Sequence, residues 1–154
     1  MTKYVWICLN ETIFALGKPA SMSSTHPNFP ARFAVDGIPL SHSMAHSKED
    51  GEYQPWLRVD LESLKCIWAV KLVNRYADCC WNRTANALIT VALSEQEIFY
   101  ESEKAGNLCG YHGGQLSRYN TTITCITAIK GRFVQVLLNT TTALNLYEIE
   151  VHGV

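Results

Sequence analysis

Two cysteines stand side by side at Cys79 and Cys80, and three charged residues flank them: Arg75, Asp78 and Arg83. Each cysteine can bond a distant partner. Alternatively the two bond each other and distort the peptide between them, since ordinary disulfides hold Cα atoms ~5.5 Å apart. A bond of that second kind presents a rigid, apolar sulfur plate. Ringed by arginines, such a plate suits a ligand with a hydroxylated edge and a C–H face, and a sugar is such a ligand. The planar donor fork of Arg can span two neighbouring hydroxyls. Enzyme chemistry has less to stand on. There is no GxSxG elbow and no phosphate loop. His42 and His46 have the i, i+4 spacing of a zinc-protease helix, but Ser43 stands where the general-base Glu belongs and the segment has no helical period. Two loop histidines remain. If all six cysteines are paired, none has the thiolate context of a nucleophile.

The six cysteines are Cys8, Cys66, Cys79, Cys80, Cys109 and Cys125. An even count without a CxxC pair argues against a zinc ribbon or a thioredoxin-like centre. Asn-x-Ser/Thr sequons occur at Asn10, Asn82, Asn120 and Asn139. Together with paired cysteines they imply an oxidising, extracellular setting. The segment from Met1 to Leu9 lacks the apolar run and small-residue cleavage site of a complete signal peptide, so a secreted protein is expected to carry it as mature sequence.

Charge and hydropathy remove other classes. The 154 residues carry 13 Lys and Arg against 14 Asp and Glu, which leaves no basic excess for a general grip on nucleic acid. No run of eighteen apolar residues is present, so no membrane-spanning helix is expected. At 47% hydrophobic and 18% charged, the composition is that of a globular domain. No linker, charge block or repeat divides the chain.

The elements that must position these residues are β-strands. Trp56 to Leu61 alternates as a half-buried strand does, and Leu146 to Val151 alternates again. Ile67 to Val73, Ala87 to Leu93, Thr121 to Thr127 and Phe133 to Leu138 are rich in branched and apolar residues. Helical period never lasts three turns. Gly, Pro, Asn and Ser clusters, as at Ser21 to Pro30 and Gly110 to Gly114, mark the connections. Many short strands predict an all-β sandwich, a jelly roll. The irregular stretch from Ser21 to Pro55, with His26, Asp36, His42 and His46, is long enough to imply binding and needs a disulfide or a metal to hold it.

From about Leu16 to Gly153 the sequence resembles the F-type lectins, the fucose-binding family called fucolectins. The resemblance rests on Ala15-Leu16-Gly17-Lys18-Pro19-Ala20, Ala34-Val35-Asp36-Gly37, Pro55 to Leu61, Asn74-Arg75, Asp78-Cys79-Cys80, Gly131-Arg132-Phe133-Val134 and Tyr147 to Val151. The Arg-Val-Asp-Leu and C-terminal pieces are shared with wider discoidin-like domains. A His followed after a long gap by arginines and Asp wrapped around Cys-Cys is specific to the lectins. The resemblance implies one domain over 1–154, with a core of about 15–153 and an N-terminal segment of 1–14. It implies a sugar-binding triad of His46, Arg75 and Arg83 that donates hydrogen bonds to fucose, with Cys79–Cys80 packed on the sugar's apolar face. Asp78 would orient an arginine, and Leu40 and His26 would line a pocket for the fucose methyl.

The same resemblance implies a structural calcium ion in the long loop, held by the backbone of Phe33 and Ile38, the side chains of Asp36 and Ser43, and the carboxylate of Glu148. If Cys79 bonds Cys80 and Cys109 bonds Cys125, Cys8–Cys66 is the remaining pair. Departures from the family pattern matter too. Arg75 and Asp78 are separated by Tyr76 and Ala77, one residue more than usual, which is expected to bulge the strand end and re-aim Arg75. Asn82 places a sequon inside the binding loop. A family disulfide tying the loop before the triad His to the last strand is missing, with Met44 and Tyr147 at its two positions. The expectation is a secreted, calcium-stabilised lectin without catalytic activity that binds terminal L-fucose on glycans. It is expected to act in innate immune or cell–cell recognition, with homo-oligomers or tandem domains raising avidity. The alternative is a discoidin-like adhesion module with a degenerate sugar site and a protein or membrane partner.

Overall fold

The computed structural model describes residues 12–40, 42–101 and 108–154. Among the described residues ten strands carry the fold: β1 (Thr12–Ile13), β2 (Ala20–Met22), β3 (Ala45–His46), β4 (Glu52–Tyr53), β5 (Trp56–Asn74), β6 (Ala85–Ala92), β7 (Leu108–Gln115), β8 (Asn120–Leu138), β9 (Thr141–Thr142) and β10 (Asn145–Gly153). One helix, α1 (Glu95–Glu101), and two 3-10 turns, Ala31–Val35 and Trp81–Arg83, complete it. Strand order is β1-β10-β5-β8-β6-β7, with β2 beside β5, β3 beside β10, and β4 paired with β9. Every pairing among the described residues is antiparallel.

The sandwich is made by β5 and β8, each 19 residues long. They pair along most of their lengths, but the register breaks between Asp60 and Lys65. Before the break β5 neighbours β2, and the far half of β8 neighbours β6. After the break β5 neighbours β10. Both strands thus pass from one layer into the other. A second irregularity, between Ile67 and Ala69, inverts the alternation. Leu57, Val59, Leu61 and Ile67 bury odd-numbered side chains, whereas Val70 and Leu72 bury even-numbered ones, all into one core with Ile89, Val91, Val134, Val136, Leu146 and Ile149. Each fully buried Leu, Ile or Val contributes about 1.5–3 kcal/mol relative to exposure. Because the long strands fold back, Trp56 and Leu138 lie at the same end of the sandwich as Asn74 and Asn120, and the site is built there.

The structure merges four predicted strands into two. Trp56 to Leu61 and Ile67 to Val73 are one strand, as are Thr121 to Thr127 and Phe133 to Leu138; the polar or exposed stretches between them are bends within a ladder, not ends of it. The cluster Gly110 to Gly114, expected as a turn, lies inside β7. Glycine is needed at 110 for close approach: an added Cβ would sit 2.7 Å from Ile123 Cγ2 and 3.0 Å from the Thr124 carbonyl oxygen. Cys109 beside it bonds Cys125 of β8. Helix α1 spans seven residues, and two side chains cap its start. The Ser94 hydroxyl accepts from the Glu97 amide and the Glu97 carboxylate accepts from the Leu93 amide. The helix buries Ile98 against Ala92 and Phe133.

Candidate functional site

His46 ends β3, which pairs with β10 through Asn145 opposite His46 and Leu146 opposite Ala45. Its amide donates to the Phe29 carbonyl, and its carbonyl accepts from the His26 amide. Nδ1–H donates to the Ser47 carbonyl at 2.6 Å. The side chain is buried, and burial lowers its pKa, helped by the nearby charges of Arg75 and Arg83. The ring is therefore neutral near pH 7. With Nδ1 committed to Ser47, it offers Nε2 as an acceptor, where the family resemblance implies a donor.

Arg75 follows the last residue of β5. Its Nε and Nη2 donate to the two Asp78 oxygens at 2.9 and 2.8 Å, a bidentate pair. That leaves three N–H groups of the guanidinium for a ligand. The arginine keeps the Asp78 carboxylate well below the usual carboxylate range. Cys79 and Cys80 are disulfide-bonded to each other. Cys80 takes a left-handed conformation with φ 75°, which turns the chain into the 3-10 turn that carries Arg83. The Arg83 backbone is fixed at both ends, its amide donating to the Cys80 carbonyl and its carbonyl accepting from the Thr142 hydroxyl. Its guanidinium makes no hydrogen bond or ion pair among the described residues.

A cleft of about 410 Å³ opens here, lined by His26, Phe29, His42, Met44, His46, Glu49, Arg75 and Asp78. The rings of His26 and Phe29 lie 5.0 Å apart, and His26 and His46 5.5 Å apart. Of the expected sugar contacts, His26, His46, Arg75 and Asp78 line this cleft. Arg83 and the Cys79–Cys80 bond border it in sequence without lining it. Leu40 is exposed and outside the lining. The apolar wall comes from Phe29 and Met44, neither of which the sequence marked as a ligand contact, Met44 standing out only as the place of a missing disulfide.

Asn74 was also missed, although it organises the site. Its carboxamide is buried and makes four hydrogen bonds. Nδ2 donates to the carbonyls of Trp81 and Ser117 at 2.9 and 3.1 Å, and Oδ1 accepts from the Arg75 amide and the Thr84 hydroxyl at 2.8 and 2.9 Å. One side chain thus fixes the start of the Arg75 loop, the turn before Arg83 and the β7–β8 connection. An Asn at a strand end directly before the key arginine was the available signal.

The long loop brings two carboxylates together. Gly37, at φ +75°, donates its amide to both oxygens of Glu148 at 3.2 and 3.1 Å; a Cβ there would meet Leu16 Cδ1 at 3.0 Å. Asp36 accepts from the Ile38 amide at 2.9 Å and from the Ser43 hydroxyl. Glu148 is buried, and that burial together with the neighbouring Asp36 raises its pKa to about 8. Two carboxylates crowded in this way, with the Ser43 hydroxyl on Asp36, form an oxygen donor set that fits a hard divalent cation. Cys66 forms no disulfide among the described residues. Its expected partner, Cys8, lies outside the described residues, as does the sequon at Asn10. Asn82, Asn120 and Asn139 are exposed.

The bent-strand sandwich with its site at one end is a galactose-binding-domain architecture. The family model for the NedA-like, galactose-binding domain matches residues 33–136. Fucolectin-1 of Anguilla japonica is 34% identical over 79% of this chain and 66% of its own length, and Fucolectin of Anguilla anguilla is 31% identical over 81% and 77%. The chain belongs to the fucolectin, or F-type lectin, family. The serum fucolectin of Morone saxatilis (striped bass) superposes with a TM-score of 0.78 at 30% identity, over 94% of this chain and 49% of that one. The lectin domain of lectinolysin, solved with Lewis B antigen, gives 0.74 at 31% identity over 90% and 94%. This chain thus spans about two thirds of Fucolectin-1 and half of the bass protein.

Proposed function

We propose that this chain is a secreted, calcium-stabilised lectin that binds terminal L-fucose on glycans and carries out no catalysis. The observation that carries the reading is the convergence of neutral His46 and partly committed Arg75 on one open cleft beside Arg83, whose guanidinium makes no hydrogen bond or ion pair among the described residues. The set offers one acceptor and several guanidinium donors, those of Arg75 aimed by Asp78, with Phe29 and Met44 as an apolar wall. A 6-deoxy sugar presents hydroxyls to the first group and a methyl to the second. A sugar lacking a matching hydroxyl would leave polar groups desolvated and unpaired, which is the basis of selectivity. The Lewis B complex of the lectinolysin domain supports the same ligand class.

Asp36, Ser43 and Glu148, with the Phe33 and Ile38 carbonyls, would hold the calcium ion. Bound there, it would neutralise the paired carboxylates and pin the loop to β10, and so hold the strand of His46. Recognition of cell-surface or microbial glycans, in an immune or cell–cell setting, follows from the ligand. N-glycans on the exposed sequons belong to the same secreted reading, and one at Asn82 would stand at the rim of the site. A single shallow site of this kind binds weakly, so avidity would come from oligomers or linked domains.

Calorimetric titration with L-fucose in calcium tests the reading, with D-galactose and D-mannose as controls. Saturable binding of L-fucose alone is expected. A folded protein, free of glycan at Asn82, that gives no heat with any of the three sinks it and favours the adhesion module.

A further inference from the structure

Tyr76 is one of the two residues, with Ala77, that stand between Arg75 and Asp78 where the family pattern has one, and it ties the loop to several other segments. Its hydroxyl donates to the Pro39 carbonyl at 3.1 Å. Its ring meets the Tyr147 ring edge-on, with centroids 5.0 Å apart and planes at 80°, and lies 5.6 Å from the Tyr119 ring. Its carbonyl accepts from Nε and Nη2 of Arg118 at 3.3 and 3.2 Å. One residue therefore joins four segments: the loop after β5, the 36–40 turn, the β7–β8 connection and β10.

Strand register shows what this replaces. Leu146 faces Ala45 and Asn145 faces His46, so continuing one step sets Tyr147 opposite Met44. Directly opposed residues of an antiparallel pair lie at a Cα separation that suits a disulfide. Neither residue is cysteine here. Both are buried, Tyr147 completely, and among the described residues its hydroxyl makes no hydrogen bond of normal geometry, the backbone of Ala77 lying beside it. The tie between the strand of His46 and β10 is noncovalent, and Tyr76 packs on the Tyr147 end of it.

We propose that Tyr76 is a positioning residue for the sugar cleft, a clasp that sets Arg75 by tying its loop to the 36–40 turn and β10. Loss of the whole Tyr76 side chain then loosens that turn and weakens sugar binding, whereas loss of the hydroxyl alone loosens the turn. The proposal takes its ligand from the fucose-binding reading, while the clasp itself is a property of the free protein. Tyr76 in this way fastens the loop that carries Arg75. The aromatic packing does most of the holding, because it reaches buried Tyr147, whereas the hydroxyl holds only the turn.

Tyr76→Ala, Tyr76→Phe and Arg118→Ala test this with two readouts. The first is amide hydrogen exchange of the peptide carrying Gly37, Ile38 and Leu40 in the free protein. The second is L-fucose affinity by calorimetry, with thermal midpoints recorded alongside. Tyr76→Ala should speed exchange in that peptide and weaken fucose binding about tenfold or more. Tyr76→Phe, which keeps the rings, should recover affinity to within about threefold of wild type while the turn still exchanges faster. Arg118→Ala should speed the same exchange, although it touches Tyr76 and not the turn. Unchanged exchange in Tyr76→Ala and Arg118→Ala overturns the clasp. So does wild-type affinity in Tyr76→Ala, or a Tyr76→Phe that fails as badly as Tyr76→Ala. Absence of fucose binding by the wild-type protein sinks the ligand reading, and the exchange readout still decides the clasp.

Discussion

Arg83→Ala separates binding from folding more cleanly than any other change at this site. The Arg83 guanidinium makes no hydrogen bond or ion pair among the described residues, so its removal strands no protein partner. The backbone bonds that fix the turn, from the Arg83 amide to Cys80 and from the Thr142 hydroxyl to the Arg83 carbonyl, survive substitution. A surface change of this kind alters stability by about 0.5 kcal/mol or less, which for a chain of this size moves the thermal midpoint by about 2 °C at most. Affinity should respond very differently. A hydrogen bond from a charged donor contributes about 1.5–3 kcal/mol, so its loss predicts about a 10- to 150-fold weaker Kd for L-fucose. Arg75→Ala offers the contrast, because that side chain is 14% exposed and holds Asp78 through two bonds. It should lower both affinity and midpoint, the latter modestly because Asp78 is half-exposed and solvent-screened. Calorimetry and thermal unfolding on the same preparations decide. An Arg83→Ala protein with wild-type affinity would refute the assignment of Arg83 to the sugar. One whose midpoint falls by many degrees would show that its role is structural.

Other expectations follow from neighbouring groups. Asn74→Ala leaves four polar groups without their shared partner, and at about 1–3 kcal/mol for each buried group, not additive, a loss of ~3 kcal/mol or more is expected; a midpoint within about 2 °C of wild type would show that water replaces the carboxamide. The His46 pKa lies below its usual 6.5 because the ring is buried near Arg75 and Arg83. The unfolded chain therefore takes up that proton first. His46's contribution to stability is complete above pH 6.5 and is lost as pH falls toward the folded value. Fucose affinity should hold down through pH 6.5 and fall only below it, and a decline centred above 6.5 contradicts the neutral acceptor. Chelation of calcium should lower the thermal midpoint, and Glu148→Gln should abolish the response; equal midpoints with and without chelator exclude the proposed ion.

Legibility in the sequence varied with how local each signal was. Alternation in Trp56 to Leu61 and Leu146 to Val151 reports one buried face, so the strands and the sandwich class could be read directly. Continuity between strands could not. The bend of β5 at Glu62 to Leu64 looks like a loop in composition, and only pairing with β8 across both layers makes it part of one strand. Gly110 read as a turn because glycine's local preference is for turns, whereas its reason here is the Ile123 side chain, distant in sequence. At the site, Cys79–Cys80 and the charged residues around it announced themselves by type and spacing. Phe29, Met44 and Asn74 did not, since an apolar wall and a shared carboxamide acquire meaning only when the chain folds around them. The extra residue between Arg75 and Asp78 was visible as a departure, yet the ties of Tyr76 run to Pro39, Tyr147 and Arg118, which no local pattern connects to it.

Fixed donors with few protein acceptors explain why the cleft needs so much support behind it. Arg75 and Arg83 carry charge near a buried neutral imidazole, an arrangement that water would weaken if the loops were free to move. Asn74 secures the loop ends, the Asp78 pair aims Arg75, and Gly37 with Glu148 closes the far loop on β10. Each support acts on backbone or on one side chain and leaves N–H groups over. A site organised in this way gains from rigidity more than from area, because side chains already ordered lose little entropy when a small ligand arrives. It follows that substitutions in the supports should weaken binding without adding or removing a sugar contact, whereas substitutions in the donors should change which sugar is accepted.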